Sequence, residues 1–129
     1  MDNLQRVLYV EDDADIREIA LLALRDVGGL TVQACESGER ALQDVDDFAP
    51  QLILLDVMMP GLNGPETLKA LIKQGSITED IPVAFMTAKV HPDELKRYHE
   101  MGVMNVIAKP FDPMTLADEV RAIWKARHG

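Results

Sequence analysis

The chain has 129 residues, 47% of them hydrophobic, which suits one domain built on one sizeable core. Its 22 acidic and 13 basic residues leave a net charge of −9, which argues against a nucleic-acid partner, since a phosphate backbone is held by clustered Lys and Arg. The single cysteine, Cys35, excludes an internal disulfide, and no apolar run reaches the ~18 residues that a membrane-spanning helix needs.

The opening segment meets carboxylates too early for a signal peptide, so a cytoplasmic protein is the expectation. The first apolar run, 6–10, reads as a strand and ends in Glu11, Asp12 and Asp13. Asp13 can cap a helix with Ile16, Ile19, Ala20, Ala23 and Leu24 on one face, ended by Gly28 and Gly29. A second strand, 31–35, ends in Cys35 and Glu36, and Ser37 can cap a helix running to about Phe48. The third strand, 52–55, leads into Asp56, and the next helix begins near Pro65 and closes at Gly75. The fourth, 83–86, leads into Thr87, with a helix from Pro92 to Gly102. The fifth, 104–108, leads into Lys109 and Pro110, a candidate cis bond. Asp112 before Pro113 reads as the cap of the last helix. Its basic residues Arg121, Lys125 and Arg127 suit the negative end of a helix dipole better than a binding patch.

Five strand–helix units, with strands apolar at successive positions, predict a doubly wound α/β fold around a five-stranded parallel sheet. Order 2-1-3-4-5, the flavodoxin-like arrangement, is the common small version, although periodicity alone does not fix the order. Such a sheet binds its ligand outside the carboxyl ends of the strands, at the switch point between strands 1 and 3.

Glu11, Asp12, Asp56, Thr87 and Lys109 all fall at those ends. Two like charges 4 Å apart cost about 4 kcal/mol at an effective dielectric near 20, so the acids call for protonation, a cation or a metal. Lys109 can neutralise only one charge. Hard oxygen ligands favour Mg²⁺, and the lack of nearby His and Cys argues against zinc or copper. Taken alone, Glu11 and Asp12 are as well explained as strand-end acids without a ligand, and Asp13 as a helix cap. Asp56 differs: it follows Leu52-Ile53-Leu54-Leu55 and has no helix to cap, so it needs a partner or a task. Beside Mg²⁺ and Lys109 it is set up as a nucleophile toward phosphorus, with Thr87 able to donate a hydrogen bond to the same phosphoryl group.

Glu11-Asp12, Asp56 in the run D-V-M-M-P-G-L-N-G, Thr87-Ala88 and Lys109-Pro110-Phe111 together resemble the receiver domains of two-component response regulators, over roughly residues 6–126. The resemblance implies a phosphoacceptor at Asp56 and an Mg²⁺ site made by Glu11, Asp12, Asp56 and the backbone carbonyl of Met58. It implies a switch hydroxyl at Thr87, a phosphate-binding lysine at Lys109 and a small residue, Ala88, that leaves room for the phosphoryl group. The donor would be a sensor histidine kinase or a histidine phosphotransfer protein. None of His91, His99 or His128 falls in the constellation, so the chain reads as an acceptor.

Val106 departs from the pattern, because many members carry Tyr or Phe there. The resulting expectation is that the surface readout uses the loop 88–92 and the last strand–helix segment differently. Met58 and Lys89, each two residues beyond a site residue, are expected to influence hydrolysis of the acyl phosphate. No further segment follows the last helix, so the expectation is a single receiver domain, 1–129, without an output domain. It would signal through protein–protein contacts on the face around 91–125, with no nucleic acid and no membrane; a piece of a larger regulator is the alternative. Three other readings compete with this one. A small Mg²⁺-dependent phosphohydrolase with an aspartyl-phosphate intermediate would want a second acid just beyond the nucleophile, where Val57 and Met58 stand. A phosphorylation-independent interaction module would not need the acids, which are intact. A flavin carrier of the same fold would want a Ser/Thr/Gly-rich phosphate loop after strand 1, where Asp12-Asp13-Ala14-Asp15 is too negative.

Overall fold

The computed structural model describes residues 3–88 and 91–129, so Lys89 lies outside the described residues. Five parallel strands, β1 (Arg6–Val10), β2 (Thr31–Cys35), β3 (Leu52–Asp56), β4 (Val83–Thr87) and β5 (Asn105–Ala108), form one sheet in the order β2-β1-β3-β4-β5. The helices between them are α1 (Ala14–Leu21), α2 (Gly38–Phe48), α3 (Gly64–Gln74), α4 (Pro92–Glu100) and α5 (Leu116–His128).

Side-chain alternation splits the core into two layers. Val7 and Tyr9 of β1 face one cluster with Ala20, Ala23 and Leu24, and with Val120 and Ile123 of α5. Leu8 and Val10 face the other, with Ala41, Leu68 and Phe85. There Phe85 meets Tyr98 of α4 edge-on, with ring centroids 4.8 Å apart. β3 and β4 are buried along their whole length and β1 along nearly all of its length. The edge strands β2 and β5 are not, so continuous burial holds only for the central strands.

Most predicted helix signals act as expected. Asp13 Oδ1 accepts from the amides of Asp15 and Ile16, and Ser37 Oγ accepts from Arg40 N. Gly75 adopts φ +82°, a left-handed turn that a glycine enters without strain. Pro65 sits in the first turn of α3, but the start is set by Asn63 and Glu66, which exchange side-chain and backbone hydrogen bonds in a capping box.

Two expectations need correction. The first helix runs from α1 into a π-helical segment, Leu22–Val27, and its buried stripe is Ala20, Ala23 and Leu24. Ile19 lies about 100° around the helix from Ala20, at the border of that stripe, and is 46% exposed. Asp112 does not cap α5. Its Oδ1 accepts from Met114 N, and its carbonyl accepts from the amides of Thr115 and Leu116, making a separate turn with Pro113 inside it. The helix then starts three residues later than expected, at Leu116.

Candidate functional site

Parallel strands all end on the same rim, and this rim gathers the predicted residues. Glu11 follows the last residue of β1, and its amide donates to the carbonyl of Cys35. Its side chain is fully buried, with Lys109 and the Tyr9 hydroxyl near one oxygen and the amide of Asp13 near the other. Asp56 closes β3 and is 3% exposed, and Thr87 closes β4 and is also buried. The carbonyl of Thr87 accepts from Lys109 N, which fixes the start of the lysine against β4. Lys109 Nζ then lies 2.6 Å from Glu11 Oε1 and 3.0 Å from Asp56 Oδ1. Asp12 is exposed and completes the group: Glu11, Asp12 and Asp56 each offer a carboxylate oxygen within 4.8 Å of the others.

The charges explain what this arrangement is suited to hold. Among the described residues bonded directly into the cluster, Lys109 supplies one positive charge against three carboxylates. Burial, reinforced by the neighbouring Asp56, pushes the Glu11 carboxyl up to about 7, and Lys109 opposes that rise. Burial pulls the Lys109 ammonium down, but its bonds to Glu11 and Asp56 outweigh burial and hold it above its ordinary value. The surplus is negative and made only of oxygen ligands; no His or Cys belongs to the group. The donor set therefore fits a hard divalent cation such as Mg²⁺, which takes one or two carboxylates and keeps other oxygens from water or phosphate.

The remaining predicted positions surround this centre. Met58 is 77% exposed on the loop after β3, and Ala88 is exposed just beyond Thr87. Val106 of β5 pairs with Phe85 and packs against the α2–α3–α4 side of the core. The Lys109–Pro110 bond is cis. His128 lies elsewhere, 2.7 Å from the carbonyl of Asp80 and stacked near Trp124.

Three residues to which the sequence reading assigned no role also touch the site. Tyr9 is fully buried, and its hydroxyl lies 3.5 Å from Glu11 Oε1; burial, Glu11 and Asp56 all push its phenol up. Its spacing of two from Glu11 on a strand put both on one face, a readable signal. Arg17 of α1 donates through Nη1 to the carbonyl of Glu11 at 2.8 Å and reaches that of Asp12 at 3.5 Å. Gly64 packs its backbone so closely on β3 that a Cβ would stand 2.7 Å from the Asp56 carbonyl oxygen and 2.9 Å from Val57 Cα. The Arg17 contact has no signature of its own, and Gly64, the last residue of the run after Asp56, was read without a role, because both act on backbone.

With the geometry in place, comparison with known proteins gives a consistent result. The family model of the response regulator receiver domain matches residues 7–121. The phosphate regulon transcriptional regulatory protein PhoB of Escherichia coli is 38% identical over 121 residues, covering 94% of this chain and 52% of that protein. The DNA-binding response regulator MtrA of Mycobacterium tuberculosis is 36% identical over 123 residues, covering 95% and 52%. The chain thus spans about half the length of the curated relatives it matches. Among solved structures, the Vibrio cholerae chemotaxis protein CheY4 superposes with a TM-score of 0.85 at 28% identity, covering 93% of this chain and 98% of that one. With its strand order, its acidic rim and a family match over most of its length, this chain belongs to the response regulator receiver domain family.

Proposed function

We propose that the chain is a phosphorylation-dependent signalling switch that accepts a phosphoryl group on Asp56 and passes the signal on through protein–protein contacts. The observation that carries this reading is the buried Asp56 carboxylate, 3.0 Å from Lys109 Nζ and in one oxygen cluster with Glu11 and Asp12. The donor is a phosphohistidine on a sensor histidine kinase or a histidine phosphotransfer protein. An Asp56 carboxylate oxygen attacks phosphorus, the P–O bond forms as the P–N bond breaks, and the imidazole leaves with the electron pair and takes up a proton. Glu11, Asp12, Asp56 and the Met58 carbonyl would hold Mg²⁺, which when bound would offset charge on the transferring group. Lys109 exchanges part of its bonding to Glu11 and Asp56 for the new phosphoryl oxygens. Thr87 turns its hydroxyl to the same group, and the exposed Ala88 leaves space beside it.

The chain catalyses its own phosphoryl transfer and dephosphorylation and acts on no separate substrate. The phosphohydrolase alternative lacks support at the expected second acid, since Val57 is buried and apolar and Met58 is an exposed thioether. Met58, exposed beside the rim, tunes the phosphoryl lifetime together with Lys89, which lies outside the described residues. Val106, half-buried at the usual aromatic position, has no ring to swing, so output on the α4–β5–α5 face uses the 88–92 segment and the last strand–helix segment differently. We assign a cytoplasmic location, in keeping with one buried thiol, Cys35. No helix among the described residues is long and apolar enough to cross a membrane.

Residues 1–129 act here as one receiver domain. PhoB and MtrA are, by name, a transcriptional regulator and a DNA-binding regulator, and an output of that kind would require residues beyond these. The charge of −9 speaks against DNA contact by the receiver itself. The test is incubation with acetyl phosphate or phosphoramidate plus Mg²⁺, followed by intact mass. One phosphoryl group is gained, and Asp56→Ala or EDTA abolishes the gain; a gain that survives Asp56→Ala overturns the assignment.

A further inference from the structure

We propose that Arg17 is a positioning residue for the divalent-cation site: it holds the Glu11–Asp12 backbone so that both carboxylates stay turned toward Asp56. The proposal rests on the cation-dependent reading of the rim given above.

The two cations at this rim are bonded in different ways. Lys109 Nζ sits on carboxylate oxygens, 2.6 Å from Glu11 and 3.0 Å from Asp56, so it occupies the same atoms that a metal would use. Arg17 Nη1 sits on main-chain carbonyls instead, 2.8 Å from Glu11 O and 3.5 Å from Asp12 O. It adds positive charge to the rim without taking a ligand atom. Its bonds share no acceptor atom with those of Lys109.

The segment it holds has few other restraints. The β1–β3 register ends at Val10 and Leu55, one residue before Glu11. Glu11 N is tied to Cys35 O on the β2 side, and Arg17 takes the Glu11 carbonyl. The turn closes with Asp13 N donating to Glu11 Oε2 at 3.3 Å and Arg17 N donating to Asp13 O at 2.9 Å. Arg17 is thus fixed by the turn that it fixes. A guanidinium stays charged, and the two N–H groups of Nη1 point in fixed directions within its plane, which suits two carbonyls from consecutive residues; an ammonium on a flexible stem rotates freely and does not fix both. Groups that orient ligands in this way matter to metal affinity, because coordination tolerates only a few tenths of an ångström.

The test is titration calorimetry with MgCl₂ on the full chain, comparing wild type, Arg17→Lys and Arg17→Met, with the urea midpoint of each measured in EDTA. Both variants are expected to bind Mg²⁺ roughly tenfold more weakly, with EDTA midpoints close to wild type. Wild-type affinity in Arg17→Lys with tighter binding in Arg17→Met means that only charge matters, and overturns the proposal. Equal affinity in all three overturns it as well. Weaker binding that tracks a matching fall in the midpoint assigns Arg17 to fold maintenance and also overturns it. If wild type binds no Mg²⁺, the reading of the rim itself fails and takes the proposal with it.

Discussion

The two ends of this sheet differ in whether a cation meets buried carboxylates. At the amino ends of the strands, cations are satisfied by backbone. Arg6 donates to the carbonyl of Phe48 and lies over its ring, Arg121 donates to Gly28 O, and Arg127 Nε donates to Glu79 O at 2.6 Å. At the carboxyl ends, Arg17 also keeps to carbonyls, but Lys109 is bonded to two buried carboxylates. A carbonyl has a fixed place and no charge to titrate, so the first set ties loops to strands. A carboxylate can exchange its partner for a proton, a metal or a phosphoryl oxygen, so the second end is open to chemistry.

The sharpest way to break this comparison is to remove a cation from each end. Lys109→Met leaves two buried acids without their partner and should cost about 3–5 kcal/mol of stability at pH 8 in EDTA. The loss should shrink at pH 5, where Glu11 is protonated. Denaturant unfolding at the two pH values checks both statements. The next largest effect is the pH dependence of the wild type without metal. The folded protein holds the Glu11 proton up to about pH 7, above the ordinary value of 4.5. Between those values the native state binds more protons than the unfolded chain, so stability falls as pH rises through that window. Asp56→Asn removes one repelling charge and should flatten this slope and raise the midpoint at neutral pH. A slope of opposite sign would show that Lys109 fully compensates the cluster. The smallest effect belongs to the other end: Arg127→Met loses one backbone hydrogen bond and should cost only ~1 kcal/mol, equally at both pH values.

The functional rim was easier to infer from the sequence than several helix details. Strand ends could be placed to within a residue because the central strands are uninterrupted apolar runs, and parallel topology sends every such end to one side. That is why Glu11, Asp56, Thr87 and Lys109 could be brought together without coordinates. The order of the strands was not in the periodicity and came from the general habit of small sheets of this kind. Asp112 misled because an aspartate before proline serves an isolated turn as well as a helix start. Ile19 misled because a helix lying on a sheet needs only a narrow stripe, here filled by two alanines and a leucine. Arg17 was missed, and Gly64 was quoted in the run after Asp56 without a role, because both act on main-chain atoms. Tyr9 was missed because one more large side chain in a buried strand reads as core.

Tyr9 gives the molecule a built-in optical and magnetic probe. The chain has two tyrosines, and the hydroxyl of this one ends beside Glu11, whereas Tyr98 bonds to Glu94 on α4. The single tryptophan, Trp124, is stacked near His128 at the far end of the sheet. Ring resonances of isotope-labelled tyrosine can therefore follow ion arrival at the rim without any attached dye, with the indole signal as an internal reference that should stay still.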